Sequence, residues 1–324
     1  MKTGGLKKSF SYFALMAASL CCLGCGADHT VPVYDAVDLE NRADDPKSEE
    51  AIAETPDEPE EESSSLDMPF GVGVFSWDHL PYVSDIRCMH ENGITEVYQY
   101  IKPEYTYDEI ITFLKEMSEN DIDVYILDGE PEWSYESEYQ GMKNVLDKVI
   151  ALNADLNRRE QIKGIVFDVE PYVLDTWHND PRQLLEEYSS NVVQLTEDSK
   201  DASTELEILV CIPYSYDLMG HDKILRTLIK ESDGIVVLNY NKGNEIRNIK
   251  REAALARWYG KRLINVYELQ PGLLSQTINS VSYYYDGLEA VKQNYIELLD
   301  TYPSHNIAMA FHTLDYLKAL SIEK

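Results

Sequence analysis

Between residues 71 and 313 eight short apolar runs recur, each separated from the next by a longer polar or amphipathic stretch. They read GVGVFSW (71–77), ITEVYQYI (94–101), IDVYILDG (122–129), IKGIVFDVE (162–170), LEILVCIPY (206–214), DGIVVLNYN (233–241), RLINVYEL (262–269) and NIAMAFHT (306–313). Near-continuous apolar character is the mark of parallel strands covered on both faces. The stretches between them carry helix signals. In 106–121, Thr106 and Glu109 stand at capping-box spacing. In 180–199, Asp180 is placed to cap and Pro181 to occupy the first helical position. Further helices are expected over 222–232, 245–260 and 285–302. Eight strand–helix units in about 250 residues is the arithmetic of an α/β chain closed as a (β/α)8 TIM barrel. No repeat of a solenoid's period is visible.

Upstream of this region the composition changes twice. Lys2, Lys7 and Lys8 precede the apolar run FSYFALMAASLCCL (10–23), which is shorter than the ~20 residues a membrane-spanning helix needs and suits a secretory signal. The run ends in Leu23-Gly24-Cys25, similar to a bacterial lipoprotein signal. By that resemblance Cys25 is the lipidated residue, although Cys22 stands where a Leu is usual. Residues 26–67 hold 15 acids against two bases, with several Pro and few large apolar side chains. Such a segment cannot bury enough surface to offset its ordering entropy. The expected organisation is therefore a signal peptide (1–25), a disordered acidic linker (26–67) and a barrel domain (68–324). The expected location is exported and membrane-anchored on the extracytoplasmic side of a bacterial cell, with plain secretion as the alternative. Two cysteines, Cys88 and Cys211, fall in the domain, where two buried free thiols are expected.

The chain has a formal net charge of -30, and residues 68–324 account for 20 of those negative charges. Nucleic-acid binding needs clustered Lys and Arg, so no nucleic-acid partner is expected. Contact with a bilayer would come from the lipid anchor alone. Neither a dinucleotide-binding nor a P-loop glycine motif is present, and no H-x-H or H-E-x-x-H occurs, so no cofactor and no metal is expected.

In a barrel of this kind the chemistry sits at the carboxyl ends of the strands. The ends here gather Trp77, Tyr100, Lys102, Asp128, Glu130, Asp168, Glu170, Tyr172, Tyr214, Asn239, Tyr240, Glu268 and His312, with Trp133 and Trp177 just beyond. Aromatic rings stack on the apolar faces of sugars, and carboxylates and amides bond hydroxyls. The sharpest feature is KGIVFDVEPY (163–172). Side chains alternate across a strand, so Ile165, Phe167 and Val169 should face the helices, and Val166, Asp168 and Glu170 the barrel interior. Two acids two residues apart on one face lie ~7 Å from each other. Partly desolvated, they disfavour joint ionisation, so one should keep its proton near neutral pH, as a general acid must. Glu268, across the mouth, is the third candidate carboxyl, as a nucleophile, a base or a hydroxyl ligand. Asp128 either binds substrate or caps the Asp-Gly turn. His312 reads as a hydrogen-bonded core residue.

The motifs LDGEPEW (127–133), DVEPY (168–172), LDTW (174–177), Asn239-Tyr240 and Glu268 together resemble a family of bacterial glycoside-hydrolase-like TIM barrels across residues 70–320. The Asp168-x-Glu170 spacing is distantly similar to the family 18 chitinase-type signature. That resemblance implies Glu170 as general acid and Asp168 as the residue orienting substrate. The sequence departs from that signature at Val166 and at Lys163-Gly164. Glu170-Pro171 with Glu268 is also similar to a clan of retaining barrel glycosidases, with Val169 where that clan has Asn. The expectation is an exported monomer acting on a polysaccharide or oligosaccharide by acid-assisted glycosidic cleavage. Its catalytic residues would be Asp168, Glu170 and Glu268, and its substrate-binding residues Trp77, Asp128, Trp133, Tyr172, Trp177, Tyr214, Asn239 and Tyr240. The alternatives are a non-catalytic glycan-binding lipoprotein on the same scaffold and a surface scaffold protein.

Overall fold

All eight apolar runs become strands of one closed parallel sheet, in the order of the sequence. The structure, a computed structural model, describes residues 70–202, 205–271 and 280–322. The expected signal peptide with Cys25, and the linker over 26–67, lie outside the described residues. The strands are β1 (Val72–Ser76), β2 (Glu96–Tyr100), β3 (Asp123–Asp128), β4 (Gly164–Phe167), β5 (Glu207–Pro213), β6 (Gly234–Leu238), β7 (Arg262–Glu268) and β8 (Ile307–His312). The barrel closes where β1 meets β8, with Val72 paired to Met309 and Val74 to Phe311. The helices are α1 (Val83–Glu91), α2 (Tyr107–Glu119), α3 (Gln140–Ala154), α4 (Pro181–Asp201), α5 (Asp222–Glu231), α6 (Glu245–Asn248), α7 (Lys250–Tyr259), α8 (Leu288–Thr301) and α9 (Leu314–Ile322). This is the (β/α)8 TIM barrel that the alternation implies.

Strand alternation sorts the core into two layers. Phe75, Tyr98, Tyr125, Leu127, Val166, Leu209, Cys211, Val236, Leu238, Ile264, Val266, Ala308 and Ala310 fill the inside of the barrel. Ile165, Phe167 and Val169 lie in the outer layer with the helix faces. The strand-four alternation therefore runs as the sequence implies. The amino-terminal end of the barrel is closed by polar groups that satisfy one another. Arg262 Nη2 donates to Glu96 Oε1 at 2.6 Å, Tyr98 donates to Glu96 Oε2 at 2.9 Å, and Tyr125 donates to Glu207 Oε2 at 2.9 Å. Gly73 makes room for this plug, because a Cβ there would sit 2.4 Å from the Tyr98 hydroxyl. The open end is therefore the carboxyl end.

The helix signals operate as read. Thr106 accepts from the Glu109 amide while Glu109 accepts from the Thr106 amide, a complete capping box on α2. Asp180 accepts from the Gln183 amide ahead of Pro181 on α4. One expected helix differs: 245–260 is broken at Ile249 into α6 and α7. Ile249 is wholly buried, and Glu245 is buried with its carboxylate bonded to Tyr283 and Asn294. The first turn is thus held to the core by the groups that bind Glu245. Cys88 and Cys211 are buried free thiols.

Candidate active site at the carboxyl-end mouth

A cavity of about 290 Å³ opens at the carboxyl ends of the strands. Its lining includes Trp77, Tyr100, Lys102, Glu130, Asp168, Glu170, Tyr240, Gln270, His312, Asp315 and Tyr316. The two strand-four acids thus reach the mouth on the inward face. β4 ends at Phe167, so both acids leave the ladder. Asp168 is still anchored by its amide, which donates to the Asp128 carbonyl at 2.9 Å. Gly129 permits that approach, since a Cβ there would lie 2.1 Å from the Asp168 carbonyl oxygen.

The two carboxyls perturb one another. Burial is the largest influence on Glu170, and the neighbouring Asp168 charge adds to it. Together they push Glu170 up to about 8 against the opposing hydrogen bond donated by the Tyr172 hydroxyl. Glu170 therefore holds a proton at neutral pH. Asp168 is also raised, again by burial first. The charge of His312 and the Cys211 thiol pull it back down. Asp168 Oδ1 is buried and has no hydrogen-bond partner among the described residues. A buried acceptor left open at the floor of a cavity is a place where a ligand donor would be stabilised.

Across the mouth, β7 and β8 place Glu268 and His312 in direct register. His312 Nδ1 meets Glu268 Oε2 at 3.0 Å, and the Gln270 amide donates to Glu268 Oε1 at 2.7 Å. Glu268 is thus a buried carboxylate with both oxygens engaged, and His312 is the member of the pair that lines the cavity. Burial disfavours charge on His312. The Glu268 carboxylate and the more distant Asp168 outweigh that and raise it above the usual histidine value. Tyr240, 5.9 Å from the His312 ring, is pushed well up by burial and stays a hydroxyl donor.

The expected substrate-binding residues divide. Trp77 and Tyr240 line the cavity, and Trp77 lies 5.8 Å from Tyr100, tilted by 43°. Asp128 shares the outward face of β3 with Ile126 and lines a separate hollow between α2 and α3. Its Oδ1 accepts from the Gly129 amide, the turn-capping role, and burial pushes it up to about 6. Trp133 packs into the outer layer, where a Cβ on Gly141 would meet its indole at 2.1 Å. Trp177 stacks on Tyr216 at 6.4 Å, and Tyr172 meets Trp177 edge-on. Tyr214 packs on the same outer layer. Asn239 is buried, donating to the Glu245 carbonyl and to Asn265 while accepting from Asn248, so it ties β6 to α6. These six stand outside the lining of the mouth cavity.

Several lining residues were not foreseen. Gln270 follows Glu268, and Asp315 and Tyr316 begin α9, one turn past β8. The signal that could have found them is the short connection after β8, which brings the first turn of α9 over the mouth. Among the described residues no three His, Cys, Asp or Glu side chains gather as a metal site.

The fold and mouth together define the class of molecule: a (β/α)8 barrel carrying a buried carboxyl pair at the carboxyl end of β4. No protein-family model matches the sequence, and no curated protein sequence matches it significantly. Solved structures to which the chain is similar include a GH18 chitinase from Pseudoalteromonas aurantia. It is 14% identical over 78% of this chain and 100% of that one, with a TM-score of 0.48. An intracellular xylanase from Thermoanaerobacterium saccharolyticum is 12% identical over 77% of this chain and 87% of that one, with a TM-score of 0.49. Tryptophan synthase from M. tuberculosis is 10% identical over 78% of this chain and 89% of that one, with a TM-score of 0.40. Barrels of this architecture carry unrelated chemistries, so a functional reading has to rest on the site.

Proposed function

We propose that the protein is an exported glycoside hydrolase that cleaves a polysaccharide or oligosaccharide with Glu170 as general acid. One observation carries the reading: Asp168 and Glu170 face a shared cavity, and the Asp168 charge and burial keep a proton on Glu170 up to pH about 8. In the proposed step Glu170 delivers that proton to the glycosidic oxygen as the bond to the anomeric carbon breaks; water then adds to that carbon and returns a proton to the Glu170 carboxylate. Ionised Asp168 stabilises the positive charge that develops on the ring. Trp77 and Tyr100 offer faces on which a sugar ring can stack, and Tyr240 a hydroxyl to orient it.

The test is a screen of the purified protein on cell-wall and secreted polysaccharides, followed by Glu170→Gln. The amide keeps the shape and loses the proton, so turnover should fall by about 10²–10⁴ while glycan affinity stays within a few-fold. Turnover that survives this change assigns the acid elsewhere. A second reading, a glycan-binding module without hydrolysis, is favoured by Glu268. With both its oxygens engaged, Glu268 presents no free second carboxylate to the cavity. Measurable affinity for a glycan with no released reducing ends at any pH would select it. For the location, we propose export with lipidation at Cys25. Metabolic labelling with a radioactive fatty acid should mark the wild-type chain and not Cys25→Ser; equal labelling of the two would place the lipid at another residue, and an unlabelled wild-type chain would remove the anchor.

A further inference from the structure

Two adjacent carboxyls that share one proton pose a question of placement: which of the two keeps it. Deepening the hydrolase reading above, we propose that His312, oriented by Glu268, is a positioning residue that holds the negative charge on Asp168 and so leaves the proton on Glu170.

The geometry carries this in three steps. Glu268 and His312 are register partners at the ends of neighbouring strands, so their side chains emerge side by side on the inward face. Glu268 is fixed by two bonds, the Gln270 amide at 2.7 Å and His312 Nδ1 at 3.0 Å. A carboxylate at Nδ1 puts a hydrogen on that nitrogen, which leaves Nε2 to take up the second proton on a ring that lines the cavity. The ring is held from its sides by Phe75 at 5.4 Å and Tyr240 at 5.9 Å, so the charge cannot swing away. Asp168, just after β4, lines the same cavity as His312 and feels its charge, whereas the main neighbours of Glu170 are Asp168 and the Tyr172 hydroxyl. A protonated ring across the shared cavity from the pair favours the anion on the acid it acts on. Its charge in turn makes the second acid the better proton holder.

The titratable groups that share this part of the molecule with His312 are Glu268 on β7, Asp168 and Glu170 after β4, Cys211 on β5, Tyr240 after β6 and Asp315 at the head of α9, with Asp78 after β1, Lys102 after β2 and Glu130 after β3 in the same cavity lining. Cys211 and Tyr240 are pushed well up by burial and stay neutral, so the asymmetry is set by His312 and Glu268.

The first test needs no substrate. In the intact protein, the His312 ring resonances are followed by NMR from pH 5 to 9, assigned by their loss in His312→Gln. The wild-type ring should titrate above the usual histidine value. Glu268→Gln and Asp168→Asn should each weaken its proton affinity by about tenfold or more. A midpoint that neither change moves overturns the proposal, and two variants guard against one failing to fold. The second test uses the substrate found by the screen. His312→Gln should raise the acidic limb of the kcat/KM profile by about tenfold in proton concentration and leave the alkaline limb in place. It should also lower the plateau, because the single proton is then divided between the two acids. A lowered plateau with both limbs unmoved marks His312 as packing only and overturns the proposal. Should wild-type protein cleave no glycan, the hydrolase reading falls, while the NMR titration still decides whether His312 and Glu268 set the charge of the pair.

Discussion

Glu252 on α7 shows what an acid costs when no chemistry uses it. It is wholly buried, and neither carboxyl oxygen has a hydrogen-bond partner among the described residues. Burial first, and then the charge of Asp217, push it up to about 8. The unfolded carboxyl ionises near the ordinary glutamate value of 4.5, so between that pH and about 8 the native state holds a proton that the unfolded chain has lost. The stability from this group is fully present below pH about 4.5 and declines as pH rises to about 8. Glu252→Gln removes the ionisation and should stabilise the protein at pH 7.5 by up to about 4 kcal/mol, with little effect at pH 4.5. Urea unfolding at the two pH values checks this, and an equal effect at both would show that ionisation is not the cause. At this scale the sequence was informative wherever the two-residue strand period decides a side. Asp168 and Glu170 face inward because Val166 does. The same parity, applied from Ile126, sends Asp128 outward, where it caps the Asp-Gly turn and lines the hollow between α2 and α3. The bond between Glu268 and His312 was not legible, because it depends on the register between two strands whose connection spans more than thirty residues.

Elements were legible to the extent that their local chemistry is complete. The cap at Thr106 and the start at Asp180-Pro181 need nothing beyond their own turn, and both helices begin there. The break at Ile249 depends on Tyr283 and Asn294 from beyond the next strand, which no local pattern contains. The tryptophans follow the same logic. Trp133 and Trp177 stand in short turns between a strand and its helix, and those turns fold back onto the outer layer, where apolar surface is available to cover. The barrel plug gives a test at this level. Gly73→Ala places a Cβ against Tyr98, which is wholly buried and already committed to Glu96. Overpacking of this kind should destabilise by about 2 kcal/mol, seen as a lower urea midpoint with an unchanged slope. An unchanged midpoint would mean that the amino-terminal layer is looser than its hydrogen bonds imply.

For the molecule as a whole, charge and burial act in the same direction. Residues 68–324 carry a net charge of -20, so lowering the pH relieves repulsion across the surface. The buried acids add a second reason. Glu170 and Glu252 are pushed up to about 8 and Asp128 to about 6, chiefly by burial, and Asp168 is raised as well. Each takes up its proton in the native state before the unfolded chain does, so each withdraws stability as pH rises toward its native value. The opposing groups are fewer. Asp85, whose burial is outweighed by its bonds to Lys318, Tyr82 and His79, is held below the usual carboxylate value. So is Asp222, through Arg226 and Arg251. Their contribution is present above about 3.8 and fades only below it. The pH of greatest stability should therefore lie below 6, with a urea midpoint that falls steadily from pH 5.5 to 8.5. Salt separates the two causes. Raising ionic strength to 0.15 M shortens the screening length to ~8 Å and should recover the surface part of the loss at pH 8.5. The part due to desolvated carboxyls should persist in salt and shrink in Glu252→Gln. A midpoint that is flat or rising between pH 5.5 and 8.5 at low salt would mean that these acids are better solvated in the folded protein than their enclosure implies, and Glu170 would then lose the proton on which the proposed chemistry depends.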